Sequence, residues 1–139
     1  MSKQLLQPAG WAAPKGYANG VAASGRLVFV AGQIGWNAAS AFDSDDLVDQ
    51  VRQALLNVRT VLAEAGAGPE HVCRMTWYLV DKGEYLARAA DIGRAYREVL
   101  GREFAVAMSA VQVAALIEDR AKVEIEVTAV LPHAASITP

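Results

Sequence analysis

The 139-residue chain has the length of one domain, and a globular chain of that size buries roughly 70% of its unfolded surface, enough for a core. A formal net charge of -2 without a basic run argues against nucleic-acid binding, and no window of about 20 apolar residues supports a membrane span. A single cysteine excludes an intrachain disulfide, and no cluster of residues has metal-ligand spacing, so we expect no bound metal. The N-terminus lacks a secretory signal, so we expect a cytoplasmic protein.

The first part of the chain has strand character. Residues 3–7 and 17–23 predict two strands, separated by a Gly-, Ala- and Pro-rich loop. Ser24 and Gly25 then predict a hairpin turn into a strand at 27–31, because small residues with access to positive φ favour such turns.

A long amphipathic helix follows. Asp43 or Ser44 is the expected N-cap, since their side chains accept hydrogen bonds from the exposed amides of the first turn. Apolar residues then recur at helical spacing along one face, and Gly66 is the expected end of the helix.

The second half of the chain predicts three strands and one helix. Residues 72–80 alternate between apolar and polar side chains, and residues 84–100 have helical spacing. Two closing strands are expected at 108–115 and 121–131, and residues 133–139 are expected to form a flexible tail after a single domain. In the last strand the period of two places Glu124 and Glu126 on one face and the branched apolar residues on the other.

The order β-β-β-α-β-α-β-β predicts an α+β fold. The economical arrangement is a six-stranded mixed sheet with both helices on one face. Nothing remains in one chain to cover the other face, so we expect a homo-oligomer that buries sheet faces against each other.

Several segments, taken together and in order, resemble one family, the reactive-intermediate deaminases (Rid, or YjgF-type, proteins). The segments that carry the resemblance are Gly16-Tyr17, VFVAGQIG at 28–35, QVRQALLNVRTVLAEAGAG at 50–68, VCRMTWYLVD at 72–81, AYREVLG at 95–101, SAVQVAAL at 109–116 and VEIEVTAV at 123–130. The resemblance implies a chorismate-mutase-like homotrimer. Its sheets pack around a threefold axis, and its ligand clefts lie between subunits.

The resemblance also implies a chemistry. Typical members hydrolyse enamines and imines, such as 2-aminoacrylate and its imine tautomer, without a cofactor, and an arginine in a P-A-R-S segment grips the substrate carboxylate. Here that position is Met108, which has no charge, so we expect the cleft to prefer a larger or less anionic ligand. Two further family pocket positions differ, with Gly93 in place of an asparagine and Ala110 in place of a cysteine.

Other family positions are retained. Glu124 is the first catalytic candidate, as the group that orients or activates water, and Tyr17 is the second, as a hydrogen-bond donor to the ligand. The backbone around Ala31 and Gly32 can offer amides to a carboxylate. The structural alternatives are an ion pair between Glu124 and Arg74 and a tyrosine that merely satisfies its hydroxyl on nearby backbone.

Three more residues are candidates around the cleft. Trp36 follows the strand that carries Gly32 and is expected to line the pocket. Arg102 and Arg120 are candidates for the missing positive charge, with a solvated surface role as the alternative. Met108, Tyr17, Glu124 and Gly32 are expected to converge on one cleft that a second subunit completes.

Two functions of different classes remain open. The first is a cofactor-free imine or enamine hydrolase that acts on a small metabolite other than 2-aminoacrylate. The second is a trimer whose clefts bind a small metabolite without turnover. Older names of relatives refer to endoribonuclease activity, but the acidic balance of this chain argues against that function.

Overall fold

The computed structural model describes residues 3–102 and 105–133, so the predicted tail lies, apart from His133, outside the described residues. The helices are α1 (Leu47–Glu64), α2 (Lys82–Ala87) and α3 (Ala89–Leu100), with a 3-10 turn at Pro69–His71. The strands are β1 (Lys3–Leu6), β2 (Gly20–Ala23), β3 (Arg26–Ile34), β4 (Val72–Leu79), β5 (Ala107–Gln112) and β6 (Val123–Leu131).

The predicted α+β class is confirmed, with six strands in the described residues, but these form two sheets rather than one. β1 and β2 form an antiparallel pair, and the larger sheet has the order β3-β6-β4-β5, in which only β5 is parallel to its neighbour. The predicted hairpin at Ser24 and Gly25 is wrong, because β2 pairs with β1 whereas β3 pairs with β6. Gly25 instead permits a close approach, since a Cβ there would overlap the carbonyl of Leu131 at the end of β6.

The N-cap of α1 is Asp46, not Asp43 or Ser44. The Asp46 carboxylate accepts a hydrogen bond of 3.1 Å from the backbone N–H of Asp49. The Ser44 hydroxyl accepts a hydrogen bond from the backbone N–H of Asp46 at 3.0 Å. The cap therefore lies two residues after Ser44, later than the sequence suggests.

The helix predicted at 84–100 is interrupted at Arg88, which separates α2 from α3. Arg88 donates to Asp46 at 2.8 Å and to Asp91 at 3.3 Å, so a long-range ion pair holds this break in place. Helical periodicity restarts after the break. Leu86, before the break, is 63% exposed, while Ala95, after it, is buried.

The hydrophobic core lies between the helices and one face of the larger sheet. Alternation along β6 is confirmed: Val123, Ile125 and Val127 are buried, whereas Glu124 and Glu126 lie on the opposite face. That opposite face also carries exposed apolar side chains, namely Leu27, Phe29 and Val111. Among the described residues, no helix combines the length and apolar character needed to cross a membrane.

Candidate ligand site

A cleft of about 380 Å³ lies between α3, the start of β5 and the loop that precedes β2. Its volume falls within the range of about 300–1,000 Å³ that is typical of small-molecule sites. The residues that matter for its chemistry are Tyr17, Trp77, Gly93, Tyr96, Arg97, Arg102 and Met108. Three of the predicted site residues, Tyr17, Gly93 and Met108, are thus together, and Arg102 lies with them.

The loop before β2 is attached to the start of β5. The backbone N–H of Ala18 donates to the carbonyl of Val106 at 2.9 Å, and Ala18 forms a parallel bridge with Ala107. This attachment holds Tyr17 in the same cleft as Met108. Tyr17 is 41% exposed as a residue.

Met108 faces the helices. It stands opposite Met75 in the parallel ladder between β4 and β5, and Met75 is fully buried in the core. Met108 is half-buried and packs against that core. The apolar side chain therefore continues the core surface into the cleft and contributes no charge there.

Arg97 is a cleft residue that the sequence reasoning missed. Nη1 of Arg97 lies 3.1 Å from where a Cβ on Gly93 would be, so the guanidinium occupies the space that a side chain at position 93 would need. The spacing i, i+4 on one helix was the available signal, because such residues lie on the same face. Neither Arg97 nor Arg102 forms a side-chain hydrogen bond or ion pair with any residue in 3–102 or 105–133.

Aromatic rings form the inner wall of the cleft. The ring centroids of Trp77 and Tyr96 are 6.4 Å apart, and burial raises the pKa of the Tyr96 phenol, which keeps it neutral at physiological pH. The Tyr96 hydroxyl lies 3.7 Å from Sδ of Met75. The indole Nε1–H of Trp77 is buried and has no acceptor among the described residues, which is uncommon for a buried polar group.

Glu124 and Gly32 form a second group on the opposite face of the larger sheet. The pairing of β3 with β6 shifts register between Val30 and Gln33, which leaves Ala31 and Gly32 at an irregularity. A Cβ on Gly32 would overlap the Glu124 carboxylate, so glycine is what lets this carboxylate lie against the strand.

The proposed ion pair between Glu124 and Arg74 is absent among the described residues. Arg74 stands opposite Thr128 in the ladder, and the neighbour of Glu124 is Tyr78. Glu126, by contrast, has a structural partner, since the Tyr78 hydroxyl donates to it at 2.6 Å and this bond raises the pKa of the Tyr78 phenol. Glu126 therefore has a side-chain hydrogen bond within the sheet, whereas Glu124 has no side-chain partner among the described residues.

Three other candidates lie outside the cleft. Trp36 packs against Phe42, with ring centroids 5.9 Å apart. Arg120 lies 5.3 Å from the centroid of Phe42 and donates to Asp45 at 2.9 Å, so its charge is already engaged. Ala110 stands opposite Trp77 on β5 but does not line the cleft.

The expected convergence of Met108, Tyr17, Glu124 and Gly32 does not occur within one chain. Met108 lies on β5 and faces the helices, whereas Glu124 lies on β6, beyond β4, and faces away from them. The chain thus carries a ligand-sized cleft with cations on one face and a carboxylate beside a strand irregularity on the other.

Comparisons with known proteins agree on the family. The model of the family described as Endoribonuclease L-PSP matches residues 9–131. The RutC family protein slr0709 of Synechocystis is 35% identical over 134 residues, which cover 95% of this chain and 99% of that protein. A protein named as a reactive intermediate deaminase, TdcF of Escherichia coli K12, is 33% identical over 108 residues, covering 76% of this chain and 80% of that one.

Solved structures give the same result. YyfB of Yersinia pestis, a Rid-family protein described as being of unknown function, superposes with a TM-score of 0.84 and 32% identity over 94% of this chain and all of that one. Together with the match to the family model, this similarity shows that the chain belongs to the Rid, or YjgF-type, family.

Proposed function

We propose that this protein is a cofactor-free imine or enamine hydrolase that acts on a small metabolite other than 2-aminoacrylate. Membership of the Rid family supports deaminase chemistry. The observation that carries the choice of substrate is the cleft itself, in which half-buried Met108 and the rings of Trp77 and Tyr96 form an apolar wall. Such a wall favours a substrate with an apolar body over one with three carbons.

The reaction requires little machinery. The oxygen of a water molecule bonds to the imine carbon, and the electron pair of the C=N π bond moves to nitrogen, which takes up a proton. The nitrogen of the resulting carbinolamine takes up a second proton, the C–N bond breaks with its electron pair going to the departing ammonia, and the hydroxyl loses its proton as the keto group forms. In the proposal, Glu124 orients the water and accepts its proton, and Tyr17 donates a hydrogen bond to the substrate.

This chemistry needs the two groups of residues to meet, and we propose that a homotrimer brings them together. The open face of the larger sheet carries Leu27 and Phe29, which are 57% and 71% exposed, and packing this face against another copy would bury them. One copy would then present Glu124 to the cleft of its neighbour. Light scattering at micromolar concentration tests this directly, and a stable monomer would contradict it.

The test of function is ammonia release from imino acids generated in place by an amino-acid oxidase. We expect the protein to accelerate hydrolysis of imines derived from phenylalanine or leucine more than that of 2-aminoacrylate. Glu124→Gln should lower kcat about a hundredfold, because general acid–base groups contribute roughly that much. Glu126→Gln is the matched control on the same strand face, since its amide oxygen still accepts from Tyr78. Equal rates with and without the protein would refute the proposal.

The second candidate is a trimer that binds a small metabolite without turnover. One observation favours it: Glu124 and Met108 lie on opposite faces of the sheet, so the described residues that line the cleft of one chain include no carboxylate that could activate water. Binding in the cleft without ammonia release from any imine of the panel would favour this function over the enzyme.

A further inference from the structure

We propose that Arg97 is the carboxylate-binding cation of this cleft, and that it makes the cleft selective for carboxylates with an aromatic or branched apolar body. This inference deepens the proposed function and rests on it for the reaction that the bound molecule undergoes.

The first observation is the place of the guanidinium. Arg97 follows Gly93 by one helical turn on α3, and both line the cleft. Because Nη1 of Arg97 lies 3.1 Å from the position of a Cβ on Gly93, a side chain larger than glycine would crowd it. The absence of a side chain at position 93 leaves room for this guanidinium beside a cleft where Met108 provides no charge.

The second observation is that this charge has no protein partner among the described residues. The two acidic residues of α3 are engaged elsewhere. Asp91 accepts from Arg94 at 2.8 Å and from Arg88 at 3.3 Å, while Glu98 accepts from Arg52 at 3.1 Å. A guanidinium presents a planar set of donors that matches a carboxylate, so an unpaired one beside a cleft favours an anionic ligand.

The third observation is the wall that the ligand would meet. Ile92, Tyr96, Trp77 and Met108 give the cleft a mainly apolar lining, and Arg102 adds a second cation to the lining. A small hydrated anion would leave that wall exposed. An aromatic or branched carboxylate would cover it while its carboxylate contacts the guanidinium, so both features together define the ligand class.

The test is calorimetric titration of the full-length protein with three stable probes: 3-phenylpropanoate, its uncharged amide 3-phenylpropanamide, and propanoate. We expect 3-phenylpropanoate to bind about tenfold or more tightly than either other probe, since it alone has both the charge and the apolar body. Arg97→Met should weaken its binding about tenfold and leave the amide unchanged. Gly93→Asn should weaken it similarly by displacing the guanidinium.

Arg94→Met is the matched control, because Arg94 is exposed on the same helix and paired with Asp91. It should bind 3-phenylpropanoate like the unmodified protein, and circular dichroism should show that all variants remain folded. Any of three outcomes would overturn the inference. They are equal affinity for 3-phenylpropanoate and its amide, equal affinity for 3-phenylpropanoate in the Arg97→Met and Arg94→Met variants, and no binding by the unmodified protein.

Ammonia release measured on the same samples separates this inference from the proposed function. Arg97-dependent binding without turnover of any imine would support the carboxylate site and refute the hydrolase. Turnover of bulky imines with the same KM in Arg97→Met as in the unmodified protein would support the hydrolase and refute the role of Arg97.

Discussion

Polar side chains at the start of α1 and in the cleft beside α3 differ in whether they have hydrogen-bond partners within the protein. At the start of α1, Gln50 is 1% exposed, and both ends of its amide are bonded to backbone. In the cleft, the indole N–H of Trp77 and the guanidinium of Arg97 have no partner among the described residues. Polar groups at the start of α1 are thus satisfied within the chain, whereas these two groups beside the cleft have no protein partner among the described residues.

The largest expected effect is on stability at the start of α1. Nε2 of Gln50 donates to the carbonyls of Ser44 and Arg120 at 3.1 and 3.0 Å, and Oε1 accepts from the backbone N–H of Lys122 at 2.8 Å. Gln50→Leu leaves these groups unsatisfied and should lower the free energy of unfolding by about 3 kcal/mol. Gln53→Leu, at a half-buried position on the same helix, should cost less than about 1 kcal/mol. Equal costs in chemical denaturation would show that Gln50 has no special role.

A smaller effect is expected at the helix cap. Asp46 caps α1 and pairs with Arg88 at 2.8 Å, so Asp46→Ala removes both interactions and should cost about 1–2 kcal/mol. Asp46→Asn keeps a capping oxygen and loses only the charge of a partly exposed ion pair, so it should cost less. Thermal unfolding of the two variants measures this difference. Equal destabilisation by alanine and asparagine would contradict the capping role of Asp46.

The same residue predicts a pH dependence. Its hydrogen bond from Arg88 lowers the pKa of Asp46 below the ordinary value of 3.8, so the carboxylate stabilises the fold above that value. This contribution is lost as the pH falls through the lowered pKa, where Asp46 becomes protonated in the folded state. The difference in the free energy of unfolding between the unmodified protein and Asp46→Asn should thus be constant near neutral pH. It should shrink as the pH falls below about 3.8. A difference that widens on acidification would contradict this sign.

The smallest expected effect is in the cleft wall. Trp77→Phe loses packing, but it also removes a buried donor that has no acceptor among the described residues. The two changes oppose each other, so the free energy of unfolding should fall by no more than about 1 kcal/mol, well below the 3–5 kcal/mol typical of truncating a buried tryptophan to alanine. A loss above about 3 kcal/mol would indicate that the indole N–H has a partner in the assembled protein.

The sequence predicted those features that depend on local periodicity. Alternation along β6 placed Glu124 on the face opposite Ile125, and the apolar face of α1 was recognised from its spacing. The ordered motifs indicated the family. They also identified Tyr17, Gly93 and Met108, which the structure brings into one cleft.

Features that depend on distant parts of the chain were not predictable in this way. The break at Arg88 depends on a pair with Asp46, which is 42 residues away in sequence. The separation of Glu124 from Met108 depends on the strand order, since β4 lies between their strands. Arg97 was missed because its guanidinium uses the space left by the missing side chain at Gly93. Comparison with the family motif shows Gly93 only as a replaced asparagine and does not indicate which residue uses that space.

The most direct test of where a ligand binds uses the three tryptophans, which lie in three different environments. Trp77 is in the cleft wall, Trp36 packs against Phe42, and Trp11 is exposed in the loop before β2. With ¹⁵N-labelled tryptophan, titration of 3-phenylpropanoate should shift the indole N–H signal of Trp77 to saturation and leave those of Trp36 and Trp11 in place. The Trp77→Phe variant assigns the signal. A shift confined to Trp36, or no saturable shift at all, would contradict the cleft beside α3 as the ligand site.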